Sequence, residues 1–118
     1  MRPLGIHHVS INVTDVSAAA RFYVQDLGLT LRTDRPAFGF GGAWLDAGGQ
    51  QLHLIEADPA DGKGQHLALL VDDLDDVVDE LRNSGIEVSD PSPVGTGRQA
   101  FVQDPSGNLV ELHQTVAA

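Results

Sequence analysis

Three histidines and one glutamate, His8, His53, His66 and Glu111, stand at positions where their side-chain types could do chemistry together. Three neutral imidazoles and a carboxylate are suitable donors for a divalent zinc, nickel, iron, manganese or cobalt ion. A lone histidine on a half-polar strand is ordinarily a surface or satisfied core residue; an internal repeat sets these apart. Laid over itself with His8 on His66, the chain places Val13 on Val71, Asp15 on Asp73, Gly39 on Gly97, Asp46 on Asp104, Gly49 on Gly107 and Leu54 on Leu112. The same alignment places His53 on Glu111. The four donors thus occupy two repeat-equivalent positions, and a pseudo-twofold relation between the halves predicts that they meet. A centre with open positions would admit water or a chelating substrate, and a closed tetrahedron would be structural; spacing leaves both open.

The elements that must carry these residues follow from periodicity. Gly5–Val13 alternates and is rich in β-branched residues, which predicts a strand. Val16, Ala19, Ala20, Tyr23 and Leu27 have helical spacing, with Gly28 as the stop. Strands are expected over Leu29–Thr33, Phe38–Asp46 and Gln50–Glu56, with Ala47-Gly48-Gly49 as a hairpin turn. The second half repeats the order: strand His66–Val71, helix Leu74–Ser84 stopping at Gly85, then strands Ile86–Ser89, Gln99–Gln103 and Asn108–His113. Ala57–Gln65 reads as a linker and Asp90–Gly97 as a loop. The expected architecture is α+β, with two tandem βαβββ modules, residues 1–58 and 64–118, in one domain that forms a cupped mixed sheet with helices on its outer face. Strand parity puts His8, His53, His66 and Glu111 on the sheet face away from the helices.

Other features have plainer readings. Asp15 and Asp73 precede helices and are expected as caps. The six carboxylates between Asp72 and Glu80 lack the ligand pattern of a calcium loop and suit a helix first turn and solvated face. Phe38, Phe40, Trp44 and Phe101 are expected in the core or as cavity wall. His7 faces opposite His8 and is expected to be structural, whereas His113 shares the face of Glu111 and is a candidate partner for it. Arg98, with Arg32 and Arg35 flanking the equivalent loop of the first module, is a candidate for an anionic substrate group.

Composition narrows the classes. A chain of 118 residues suits one domain. Seventeen acidic against seven basic residues give a net charge of −10, which disfavours nucleic acid and anionic lipid as partners. The absence of cysteine removes disulfides, thiolate zinc sites and cysteine nucleophiles. No apolar run is long enough to cross a bilayer, and the start carries no leader pattern, so a cytoplasmic location is expected.

The sequence resembles the vicinal oxygen chelate superfamily, which includes glyoxalase I, fosfomycin and bleomycin resistance proteins and extradiol dioxygenases. The resemblance is carried by His8-Val9-Ser10-Ile11-Asn12-Val13 with Asp15, by Phe22-Tyr23 before Leu27-Gly28, and by His66 to Val71. Above all it rests on Phe101-Val102-Gln103-Asp104-Pro105-Ser106-Gly107-Asn108-Leu109-Val110-Glu111, which is similar to the family's FxxDPxGNxxE ending. It implies one divalent metal per site on His8, His53, His66 and Glu111, a small-molecule substrate, and a homodimer. It also implies glyoxalase-like lyase or isomerase chemistry with Glu111 as both ligand and catalytic base. Glyoxalase I usually has Glu or Gln where this chain has His53. The alternatives are an iron(II)-dependent dioxygenase, for which His8, His66 and Glu111 would form a facial triad, and a fosfomycin- or bleomycin-type resistance protein.

Overall fold

In the computed structural model, which describes residues 1–61 and 64–116, the chain forms two compact units, Met1–Asp61 and Gly62–Ala118. Residues 62 and 63 of the expected linker lie outside the described residues. Both units have the predicted βαβββ order, so the fold is α+β, built on two four-stranded mixed sheets. Among the described residues no helix is long and apolar enough to cross a membrane.

The first unit comprises β1 (His8–Val13), α1 (Val16–Arg21), β2 (Thr30–Leu31), β3 (Gly42–Ala47) and β4 (Gln50–Glu56), with sheet order β1-β4-β3-β2. β1 runs parallel to β4, and a parallel neighbour must be reached by a crossover rather than a tight turn. The helix makes that crossover. Its Asp15 cap accepts from the Ala18 amide at 3.0 Å, as expected for that residue. The single helix predicted to Leu27 instead widens into a π-helical turn over Phe22–Asp26. The wider turn brings the adjacent rings of Phe22 and Tyr23 both inward, 7% and 0% exposed.

Three strands are shorter than expected: β2 covers only Thr30–Leu31 of Leu29–Thr33, and β1 and β3 are cut back because a strand lasts only as long as its partner. Residues before His8 extend past the start of β4, whose Gln51 pairs with His8. Likewise Phe38 to Gly41 lie beyond the point where Gly42 meets Ile55, so β3 begins at Gly42 rather than Phe38. The predicted turn is correct: Ala47 pairs with Gln50 around Gly48-Gly49, and Gly48 takes the left-handed conformation (φ +62°) that such a turn requires.

The second unit comprises β5 (Leu67–Leu70), α2 (Leu74–Asn83), β6 (Ser92–Val94), β7 (Gly97–Gln103) and β8 (Leu109–Gln114), in sheet order β5-β8-β7-β6. Asp73 caps α2 by accepting from the Asp76 amide, and Asp75 and Asp76 fill the first turn, so this acidic stretch does belong to a helix start. The strand expected at Ile86–Ser89 does not form. Ser89 uses its hydroxyl to take the Phe101 amide (2.8 Å), and Pro91 then denies the chain a donor. Part of the expected loop forms the strand instead: β6 pairs with β7 as an edge strand, where Pro93 is tolerated.

The turn between β7 and β8 explains the densest sequence motif. Asp104, only 4% exposed, accepts the amides of Ser106 and Asn108 on Oδ1 and the Asn108 side-chain amide on Oδ2, each at 2.9 Å. Gly107 supplies the left-handed residue (φ +86°). Asp104→Ala strands these buried donors and is expected to cost about 2 kcal/mol or more. Asp104→Asn, which keeps an acceptor oxygen, is expected to cost less; urea denaturation of the two variants measures the difference.

Candidate metal centre

In the second unit the parallel β5–β8 ladder sets Ala68 opposite Glu111, and His66 lies just before β5. His66 Nε2 is 2.9 Å from Glu111 Oε1, and His66 Nδ1 is 2.9 Å from the Gly64 carbonyl. The other carboxylate oxygen, Oε2, is 2.8 Å from His113 Nδ1, so His113 is the partner of Glu111 that strand parity suggested. Each ring nitrogen of His66 therefore faces an acceptor. A neutral imidazole carries one N–H and can serve only one of them. In the protein alone both acceptors favour the doubly protonated ring: the Gly64 carbonyl and then Glu111 hold the His66 pKa above the ordinary histidine value. Burial by itself would push the Glu111 carboxyl up, but the hydrogen bonds from His113 and His66 outweigh it and hold the group below its ordinary value.

A cation between Nε2 and Oε1 satisfies the same geometry. Donors about 2.1 Å from an ion span about 3 Å along an octahedral edge, against the 2.9 Å observed. The Gly64 carbonyl fixes the Nδ1–H tautomer, which turns the Nε2 lone pair toward Glu111. The second-unit pair thus has the donor types and the spacing that a divalent ion would need.

The first unit brings its own two donors together differently. The parallel β1–β4 ladder sets His8 opposite Gln51 and Ser10 opposite His53, and the β3–β4 hairpin sets Trp44 opposite His53. The His53 ring lies between the other two, 4.0 Å from His8 at 13° and 4.4 Å from Trp44 at 11°. This three-ring stack leaves His53 only 8% exposed. Burial, then the nearby His8, His7 and arginine charges, pushes its pKa down, so His53 is neutral at neutral pH. Its Nε2 lies 2.9 Å from Gln51 Oε1, and His8 Nδ1 lies 2.9 Å from His7 Nδ1. Imidazole lone pairs lie in the ring plane, so parallel rings direct them along parallel planes; sharing an ion requires one ring to turn. Among the described residues no group of three or more His, Asp or Glu side chains is already gathered around a metal position.

Two of the three arginine candidates are neutralised where they stand. Arg98 makes paired 3.0 Å contacts to Asp75, and Arg32 bridges Asp34 and Asp46 at 2.8 Å. Phe38 and Phe40 are 44% and 50% exposed, which rules out the core for them and leaves the other half of the expectation, a cavity wall. They lie past the end of β4, where no strand covers them.

Residues 5–112 match the model of the Glyoxalase/Bleomycin resistance protein/Dioxygenase superfamily. The chain belongs to that superfamily. A relative from Synechocystis sp. named "Probable lactoylglutathione lyase" is 32% identical over 92% of this chain and 93% of its own length. The antibiotic binding protein TnmS3 from Streptomyces sp. CB03234 is 29% identical, with TM-score 0.84 over 98% of this chain and 99% of its own. A fosfomycin resistance protein from Listeria monocytogenes, solved with Mn(II), shares the fold at TM-score 0.82 and 19% identity, over 98% of this chain and 95% of its own. The span matched to the superfamily contains His8, His53, His66 and Glu111 and ends before His113.

Sequence reasoning missed Gln51, the Gly64 carbonyl and the Trp44 stack. Trp44 was within reach, since a two-residue turn at Gly48-Gly49 sets it opposite His53. The His7 ring contacts His8 rather than turning away from it, with Nδ1 2.9 Å from His8 Nδ1, although the His7 carbonyl still accepts the Gln51 amide of β4.

In chelator-treated protein, NMR pH titration is expected to show His66 titrating above and His53 below the ordinary histidine value of about 6.5. Glu111→Gln is expected to bring His66 down. The linkage sign follows: the raised His66 pKa stabilises the fold fully below about pH 6.5 and ceases to as pH rises through its folded value. The lowered Glu111 pKa stabilises above about pH 4.5 and ceases to as pH falls through its folded value.

Proposed function

We propose that this chain is a divalent-metal-dependent lyase or isomerase of the glyoxalase type, acting on a small molecule through two neighbouring oxygens. His8, His53, His66 and Glu111 are its ligand set. The observation that carries the reading is the 2.9 Å approach of His66 Nε2 to Glu111 Oε1, with the tautomer of His66 set by Gly64. When bound, a divalent ion of this kind polarises substrate oxygens and stabilises negative charge developing on them.

The protein's own groups supply the rest. Glu111, held ionised by its two imidazole partners, would accept a proton from a carbon made acidic by the neighbouring oxygens and return it to the adjacent carbon. His113 restrains Oε2, so the carboxylate presents the same oxygen throughout. His53 is neutral and hydrogen-bonded to Gln51, so it serves as a donor to the metal rather than as a second carboxylate base. The reading carries with it a homodimer working in the cytoplasm, with no nucleic acid partner.

A second reading, binding of a drug without turnover, is favoured by the likeness to TnmS3. Metal content separates the two. Untagged protein is expected to carry close to one transition metal ion per chain by elemental analysis, and His66→Ala with Glu111→Ala is expected to lose it. Glu111→Gln is expected to lower turnover of methylglyoxal with a thiol by at least about 100-fold. Wild-type protein that stays metal-free after incubation with each of zinc, nickel, iron(II), manganese and cobalt overturns the lyase reading.

A further inference from the structure

We infer that Arg35, Phe38 and Phe40 form a binding site for a planar aromatic anion. The Arg35 guanidinium carbon lies 4.9 Å from the Phe38 ring centroid and 5.6 Å from that of Phe40. The two phenyl rings are stacked at 5.2 Å and 15°, and both are about half exposed. In a chain with seventeen acidic against seven basic residues, a positioned arginine is ordinarily claimed by a carboxylate. Arg32, Arg82 and Arg98 are, whereas among the described residues Arg35, like Arg2 and Arg21, has no carboxylate within 4 Å, and of these three it is the one held over aromatic rings.

The mode of its holding leaves it able to bind. A guanidinium that lies over rings uses its face for that contact, while its five N–H groups point outward in its own plane. One nitrogen donates to the Phe40 carbonyl at 3.0 Å. The remaining edge suits the two oxygens of a carboxylate or sulfonate, which a guanidinium binds in a bidentate fork. The backbone makes room for this pose. A Cβ at Gly42 would sit 2.9 Å from the Arg35 terminal nitrogen and 2.3 Å from the Leu54 carbonyl oxygen, so glycine there lets the arginine lie against β3.

The exposed phenyl pair supplies the other half of the ligand's chemistry. An aromatic ring laid against Phe38 and Phe40 buries apolar surface and places an acidic substituent at the guanidinium edge. The patch also continues toward the metal ligands: Phe38 is 6.1 Å from Trp44, which stacks on His53. The inference names a ligand class that the metal reading leaves open. It does not depend on that reading, since none of its three residues is a proposed metal ligand.

The test compares 2-naphthoate, its neutral isostere 2-naphthylmethanol, and cyclohexanecarboxylate, an anion without an aromatic ring. Affinity is read by calorimetry, and location by the NMR shift of the indole of Trp44, the only tryptophan. Naphthoate is expected to bind at least about 10-fold more tightly than either control and to shift the Trp44 signal. Arg35→Met is expected to erase the preference over the alcohol, Arg35→Lys to retain part of it, and Phe38→Leu with Phe40→Leu to weaken both naphthyl compounds. The wild-type ratio decides the matter even if a variant fails to fold. Equal affinity for acid and alcohol, or no binding at millimolar concentration, overturns the proposal. So does a preference that disappears when chelator is added, because the acid would then be binding metal and not Arg35.

Discussion

Everything chemically interesting in this chain depends on a parallel ladder between the first and last strands of each unit. Parallel neighbours cannot be joined by a tight turn, so the chain must leave the sheet, cross over through a helix, and return by way of two antiparallel strands. The detour separates residues by nearly half the chain in sequence and returns them to adjacent strands. It places His53 beside β1, where His8 can stack on it, and Glu111 beside β5, where His66 can reach it. Alternation then turns Leu52, Leu54, Val110 and Leu112 into the core and leaves the opposite face for polar work.

On this shared frame the two units have diverged into different electrostatic environments. Where the second unit pairs an imidazole with a carboxylate, the partners meet in the plane of the ring and each stabilises the charge of the other. Where the first unit has two imidazoles, they meet face to face and are closed in by Trp44. Burial of that stack opposes protonation of His53, whereas the Gly64 carbonyl and Glu111 favour protonation of His66. Both environments would suit a metal ligand for separate reasons: a ring kept neutral already has a free electron pair, and a protonated one would exchange its proton for the ion.

Much of this was legible before any coordinates. The repeat identified equivalent positions, alternation identified faces, and the capping residues Asp15 and Asp73 marked where the helices begin. What escaped was whatever depends on a partner. Phe38 to Phe40 alternate like a strand but extend past the end of β4, and Ile86 to Ser89 look like a strand but meet β7 at Ser89, whose amide donates to the Phe101 carbonyl and whose hydroxyl takes the Phe101 amide. The widened turn at Phe22 answers a packing demand from two neighbouring aromatic rings, which periodicity analysis treats as noise. Arg35 differs from Arg32 and Arg98 only in which carboxylates lie nearby, and sequence spacing does not encode that distance.

The Asp104 turn bears on how such chains are recognised. Its aspartate, glycine and asparagine match the family because they close a hairpin from within, and none of them is a metal donor in the proposed set. Selection on folding alone would preserve that signature in a descendant that had lost His66 and Glu111. Membership of the superfamily is therefore legible from residues other than the proposed donors, and in the stretch that carries the resemblance the loss of a donor would show only at its last residue, Glu111.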